Sequence, residues 1–216
     1  MLHINTFINS PVSSNTFVLN WDETIGQCVV IDPGTKDNSN ILSFMRESKL
    51  VPSYIILTHE DFDHFWGCDD LQKRYGSKII CSRECAESIS VPANYFNLFY
   101  YNDSSEVYVD TVSKILEKSY ETINVLGHDF FFIKTPGHTN GSICIIVEDN
   151  MFVGDSILLV RDNLFVNKKH GGNIGVLREN INTLLKHAVG KMIYPGHGNR
   201  FVINDEVLNI IREKSL

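Results

Sequence analysis

Residues 58–64 read "THEDFDH" and follow directly on the apolar run "YIIL" at 54–57. A short run rich in β-branched residues is the pattern of a buried strand. The loop beyond it is where several side chains can be aimed at one point, because the strand fixes the loop's position while its tip stays open. His59, Asp61, Asp63 and His64 are all donors to metal ions. Neutral imidazole suits zinc or iron, and carboxylate suits harder ions. Taken alone, the same run also fits a polar turn with a capped helix start.

Outward from this run the chain alternates strand and helix patterns. "NTFVLNW" (15–21) and "CVVIDPG" (28–34) read as strands, the second closed by a Pro33-Gly34 turn. "NSNILSFMRESKL" (38–50) has helical periodicity behind an Asn/Ser start, and "CDDLQKRYG" (68–76) reads as a helix ending at Gly76. Strand "KIICS" (78–82) and helix "RECAESI" (83–89) complete a β-α-β-α order, an α/β signature. The aromatic stretch 92–109 shows no clear period. Beyond it come a hairpin, "TINVLGHDFFFIKT" (122–135), turning at Gly127, then strands "SICIIVE" and "NMFVGD". Helix "VLRENINTLLKHA" (176–188), strand "KMIYP" and a final helix "DEVLNIIREK" (205–214) follow. Two halves of this kind predict a sandwich with sheets facing each other and helices outside.

At 216 residues the chain is expected to form one domain, 1–216. Its net charge of −7 gives no general basic field for phosphates, so no nucleic-acid partner is expected. No stretch reaches the ~18 apolar residues of a membrane helix, and the start lacks the pattern of a signal peptide. Cys28, Cys68, Cys81, Cys85 and Cys144 make an odd set without a CxxC pair. That suits reduced thiols and a cytoplasmic setting. Cys68 lies just past the opening run, and a free cysteine in such a place is most often buried and inert.

Three later segments change the weight of the opening run. "TPGHTNGS" (135–142) sets His138 in a Gly-flanked turn between two strands. "FVGDS" (152–156) sets Asp155 straight after a strand and a glycine, and "YPGHGN" (194–199) sets His197 between two glycines. Each alone is a common loop. In order and context the set resembles the metallo-β-lactamase-fold hydrolases, whose pattern is HxHxDH, a "PGHT" histidine, a "GD" aspartate and a "PGHG"-like histidine. "IDPG" at 31–34 matches the family's upstream aspartate, here Asp32, which supports the metal loop from behind. The resemblance runs from about residue 12 to 200.

That resemblance implies a four-layer αββα sandwich and a binuclear metal-dependent hydrolase. One divalent ion would take His59, Asp61 and His138, and the other Asp63, His64 and His197, with Asp155 bridging. A metal-bridging hydroxide would attack a small ester such as a thioester or lactone, with Asp63 and Asp155 the catalytic carboxylates. Zinc is the default ion, with iron or manganese as alternatives. The departure is Asp61, which stands where the family has histidine. It adds a third carboxylate, which weakens the pull on the water and favours harder ions. Acidic residues at this position also occur in flavodiiron proteins and in metal-binding-like domains of some DNA-uptake channels. Open alternatives are therefore a di-iron or mono-iron oxidoreductase, a phosphodiesterase, and a binding module without catalysis.

The glyoxalase II branch is the natural reference for a compact member. Its basic glutathione-contacting elements are not recognisable in "SILLVRDNLF", where Arg161 stands alone, and its longer C-terminal helical domain is not expected here. Candidates for substrate contact are Arg161, Lys168 and His170, with Tyr95 and Tyr100 beside Phe96 and Tyr101 in a lid or pocket wall. The competing reading of the aromatic stretch is a packed insertion or a homodimer contact. His3, His128 and His187 read as surface or core residues. The expected partner is a small-molecule substrate, with no membrane.

Overall fold

The computed structural model describes residues 1–214. The chain divides into two compact units, the first Met1–Leu116 and the second from Glu117 onward.

The first unit contains β1 (Leu2–Ile8), β2 (Asn15–Trp21), β3 (Gln27–Ile31), α1 (Ser39–Glu47), β4 (Val51–Ile56), α2 (Phe62–Phe65), α3 (Cys68–Tyr75), β5 (Lys78–Ser82), α4 (Arg83–Ile89), α5 (Tyr95–Tyr101) and β6 (Lys114–Leu116). The strands form one six-stranded sheet in chain order, β1-β2-β3-β4-β5-β6. The first three pair antiparallel; β3 through β6 run parallel, joined by helical crossovers. Parallel strands put their carboxyl ends on one edge. The loops after β3 and β4 are therefore neighbours, tied by the Asp32 amide donating to the Ile56 carbonyl at 3.1 Å. The amphipathic faces of α1 (Ile41, Met45), α3 (Cys68, Leu71) and α4 (Cys85, Ala86, Ile89) pack with Val18, Val30, Ile55, Leu57 and Ile79 in one core. Gly76 ends α3 in the left-handed conformation, as its position predicts, and the Ser82 hydroxyl caps α4 by accepting from the Cys85 amide at 3.1 Å.

The second unit contains β7 (Tyr120–Val125), β8 (His128–Lys134), β9 (Ile143–Val147), β10 (Asn150–Gly154), a short 3-10 helix (Lys168–His170), α6 (Ile174–Ala188), β11 (Met192–Pro195), β12 (Phe201–Val202) and α7 (Asp205–Lys214). Its sheet has the order β12-β11-β10-β9-β8-β7. The β7–β8 hairpin turns through Leu126 and Gly127, both at positive φ, which matches the twist of the paired strands. Because β9 is antiparallel to both β8 and β10, and β11 is parallel to β10, the strands β8, β10 and β11 all run the same way. Their carboxyl ends share an edge, and that is where His138, Asp155 and His197 follow them. Helix α6 starts at Asn173, whose side chain accepts from the amides of Gly175 and Val176. It buries Leu177, Ile181, Leu184 and Ala188, and each of the three larger side chains contributes about 1.5–3 kcal/mol.

The strands and helices expected on either side of the opening run occur with bounds within a few residues. Helix α5 and strands β6 and β12 were not foreseen. Among the described residues no helix is long and apolar enough to cross a membrane.

Candidate metal centre

In the first unit the opening run leaves β4 and turns through one helical turn, α2, so that alternate residues come back toward the strand end. Asp61 sits at the N-cap position of α2, yet its side chain makes no capping hydrogen bond. Its Oδ2 instead stands 3.8 Å from His59 Nε2. In the same way Asp63 Oδ2 stands 3.8 Å from His64 Nε2. The two imidazole rings lie against each other with centroids 4.0 Å apart. The run is thus a pair of His–Asp couples, and the simple capped turn is excluded.

Asp32 organises both couples. Fully buried and held at φ 52°, it accepts from the Thr58 amide at 2.7 Å and the Thr58 hydroxyl at 2.6 Å. Its Oδ2 also lies 2.9 Å from His64 Nδ1, and a carboxylate there can only accept, so that nitrogen carries the proton. Thr58 Oγ1, its hydrogen committed to Asp32, accepts from His59 Nδ1 at 2.9 Å. One carboxylate therefore sets both tautomers, leaving the lone pair of each imidazole on the Nε2 that faces an aspartate oxygen. A left-handed backbone at a buried non-glycine residue is strained, and it persists where surroundings over-determine it.

A second layer pins the two loops. The Thr16 hydroxyl donates to the Asp32 carbonyl at 2.7 Å and the Ser14 hydroxyl to the Asp63 carbonyl at 2.5 Å. Asn9 reaches both, donating to the Ser14 hydroxyl at 2.9 Å and lying with its Oδ1 3.0 Å from the Thr16 hydroxyl, whose one hydrogen goes to the nearer Asp32 carbonyl. Gly34 lets the β3 loop reach the motif: a Cβ there would stand 1.6 Å from the Asp63 carbonyl oxygen. Sequence reasoning missed Thr58, Asn9, Ser14 and Thr16. Only Thr58 left a local signal, its place at the strand end directly before His59.

In the second unit Asp155 Oδ2 lies 3.7 Å from His138 Nε2 and 3.5 Å from His197 Nε2. One carboxylate oxygen faces two imidazole nitrogens. His138 Nδ1 lies 3.0 Å from the Phe165 carbonyl, an obligate acceptor, so this histidine too has its lone pair on Nε2. The His138 turn is fixed by Gly137, at φ 141°, where a Cβ would meet Leu177 Cα at 2.5 Å. Phe165 is a further residue that sequence reasoning missed, and a carbonyl partner carries no side-chain signal.

These separations exceed a hydrogen bond and suit two atoms each ~2.0–2.2 Å from one divalent ion. The first unit also buries four acidic side chains, Asp32, Glu60, Asp61 and Asp63. Such burial is unfavourable unless positive charge compensates it, which a bound cation does. The donor sets thus fit divalent metal.

The remaining candidates make contacts of their own. Arg161 stacks on the Phe165 ring at 4.3 Å, and the carbonyl of His170 accepts from the Asn140 amide at 2.9 Å, two residues from His138. Lys168 is exposed on the 3-10 helix. Tyr95 and Tyr100 lie on α5, 42% and 38% exposed. This helix packs on the motif itself: Phe96 stacks on Phe62 with centroids 3.3 Å apart, and Trp66 Nε1 donates to Asn97 Oδ1 at 2.7 Å. His3 bonds exposed Asp22, His128 lies in the β8 strand and His187 beside Tyr120 and Phe131, all outside the clusters. Burial drives the Cys68 thiol well above its usual range, with the neighbouring Cys81, Asp69 and Asp32 adding to it; Cys68 is an inert core residue.

A sequence model of the metallo-beta-lactamase superfamily matches residues 9–197, and the chain belongs to that superfamily. It is 27% identical over 150 residues to a hydroxyacylglutathione hydrolase of Klebsiella pneumoniae subsp. pneumoniae, covering 69% of this chain and 50% of that protein. The chain thus spans about half the length of that relative. Among solved structures it resembles the BLEG-1 B3 metallo-beta-lactamase, with a TM-score of 0.79 at 21% identity over 92% of this chain and 93% of the other. It also resembles TTHA1623, solved in a di-iron-bound form, with a TM-score of 0.72 at 21% identity over 93% and 94%. These likenesses bear out the metallo-β-lactamase fold expected from the sequence. Metals are the business of this fold, and the candidate ligand groups agree with it; which metal this chain takes is a separate matter.

Proposed function

We propose that the chain is a binuclear metal-dependent hydrolase of a small ester, a thioester or lactone being the preferred class. His59, Asp61 and His138 would hold one divalent ion and Asp63, His64 and His197 the second, with Asp155 serving both. The observation that carries this reading is the matched set of couples: every histidine with a fixed tautomer turns Nε2, its metal-binding atom, toward an aspartate oxygen at 3.7–3.8 Å. When bound, the ions act as Lewis acids on water and on the ester oxygen.

The chain's own residues do the rest. Asp32, Thr58 and the Phe165 carbonyl hold the protons of His64, His59 and His138 on Nδ1, so none of these three carries a proton at Nε2. Asp63 and Asp155 are the carboxylates that would accept the proton of the attacking water and return it to the leaving group. Arg161, Lys168 and His170 offer positive or donor groups to an anionic acyl chain, and Tyr95 and Tyr100 an apolar wall. Zinc is the preferred ion, the partner a small molecule and the setting cytoplasmic, all 216 residues acting as one domain.

Hydrolysis of a panel of thioesters, lactones and phosphodiesters by metal-loaded protein tests the reading. Turnover of an ester that Asp155→Ala abolishes without unfolding supports it. No turnover of any ester would overturn it, as would full activity in Asp155→Ala. A second reading, a di-iron oxidoreductase, draws support from Asp61, since two histidines with carboxylate are a donor set of non-haem iron. It predicts iron bound without supplementation, with oxidation-state-dependent spectra.

A further inference from the structure

In the second unit, residues 157–166 form an irregular loop between β10 and the short 3-10 helix. Among the described residues, no main-chain group of this loop bonds to another main-chain group. The last such bond before it joins the Ser156 amide to the Val153 carbonyl at 3.1 Å, and the next joins the Asn167 amide to the His138 carbonyl at 2.8 Å. Between them, four carbonyls accept from side chains instead. Phe165 accepts from His138 Nδ1 at 3.0 Å. Leu158, at 3.3 Å, Leu159, at 3.0 Å, and Arg161 all accept from one group, the ammonium of Lys214.

Lys214 lies at the end of α7. An ammonium has three protons and accepts nothing, so its whole donor capacity goes to this loop, in bonds that charge makes roughly twice as strong as neutral ones. The helix that carries it is held by the loop's own apolar side chains. Ile211, one turn back, shares a buried cluster with Ile157, and Val207, Leu159, Leu164 and Val166 pack against that cluster. The loop in turn touches the candidate ligands of its unit. It begins two residues after Asp155. Val160 lies over Gly198, where a Cβ would stand 2.3 Å from Val160 Cγ1, beside His197. Arg161 rests on the Phe165 ring at 4.3 Å, and the Phe165 carbonyl fixes the His138 tautomer.

We infer that Lys214 is a positioning residue: its ammonium latches the 157–166 loop through the carbonyls of Leu158, Leu159 and Arg161, and so keeps the Phe165 carbonyl on His138. The latch touches no candidate ligand itself. Its consequence for a metal centre rests on the reading above; the latch does not.

Lys214→Met keeps the length of the side chain and removes its three donors. Hydrogen exchange of the metal-free chain should show the amides of 158–166 opening at least about tenfold faster, with those of β9 and β10 within about twofold of the parent. Nitrogen NMR should show the His138 Nδ1 proton exchanging faster too, a signature that general loss of stability does not single out. In Lys214→Ala, n-propylammonium should slow the loop again, and tetramethylammonium, which has no proton to donate, should not. Zinc affinity, read against a competing chelator, should fall by on the order of tenfold in Lys214→Met, the scale for an orienting partner. Loop exchange within about twofold of the parent would overturn the inference, as would equal acceleration of β9 and β10 or an unchanged His138 proton. Should the variants fail to fold, the unaltered chain decides: the Lys214 ammonium should give a slowly exchanging nitrogen signal, and one averaged with solvent like an exposed lysine would overturn the latch. A parent chain that binds no zinc contradicts the binuclear reading alone, since the exchange measurements need no metal.

Discussion

Asp32→Asn is the perturbation that reaches furthest into the site without touching a proposed ligand. Asparagine tolerates the left-handed backbone at φ 52°, so the exchange adds no backbone strain. The carboxylate accepts from the Thr58 amide, the Thr58 hydroxyl and His64 Nδ1 at 2.7, 2.6 and 2.9 Å. An asparagine oxygen keeps the first of these. Its amino group falls where Oδ2 was, a donor facing two donors. The Thr58 hydroxyl must turn away, and His64 can bond only by accepting at Nδ1 and carrying its proton on Nε2. A protonated Nε2 has no lone pair for a metal. Loss of such an orienting partner weakens metal affinity by about 10–100-fold, or about 1.4–2.7 kcal/mol. The ion-free chain loses two charge-assisted bonds but also a buried charge, so its stability changes by no more than about 3 kcal/mol. Competition against a chromophoric chelator reads the affinity, and nitrogen NMR of the His64 ring reads the tautomer. Affinity within about threefold of the parent, with His64 still protonated at Nδ1, would refute the argument.

Gly34→Ala places a Cβ 1.6 Å from the Asp63 carbonyl. Forcing those backbones apart should cost at least about 3 kcal/mol, read as a lowered denaturation midpoint; an unchanged midpoint would show that the loops need not touch. Trp66→Phe removes the donor to buried Asn97 Oδ1 and should destabilise the chain by about 1–3 kcal/mol in a chemical denaturation, with α5 the first segment to exchange its amides. Equal stability and exchange would show that α5 is held by its ring stacking alone. The five thiols should resist alkylation in the native chain, since all are buried and burial pushes Cys28 and Cys144 up to about 12. At pH 8 each of those two is thiolate in only ~1 part in 10,000, and denaturant should expose all five; rapid native labelling would contradict their burial.

The strands and most helices were legible because periodicity and punctuation agree with the packing they produce. "KIICS", "RECAESI" and the Gly76 stop are each decided within a few residues. The loop histidines and aspartates were legible because each follows a strand end. Helix α5 was not: "YFNLFYY" carries apolar residues on every side, and what settles it is the stack of Phe96 on Phe62 and the Trp66–Asn97 bond. Strand β6 has three residues and β12 two, too short to show a period. The network of Asn9, Ser14 and Thr16 was invisible for another reason. Its hydroxyls reach carbonyls as far as 49 positions away, and a backbone acceptor leaves no mark on residue type. Asp32 stood out through its motif, but that it orders two histidines at once follows only from where Thr58 turns its hydroxyl.

The account stands most directly on how much metal the chain holds. Elemental analysis of protein purified without added metal, and again after reconstitution and removal of excess ion, should give about two divalent ions per chain, falling to about one in His138→Ala. A folded chain that holds fewer than about 0.2 ions and takes up none on reconstitution would contradict the binuclear site and the hydrolase built on it.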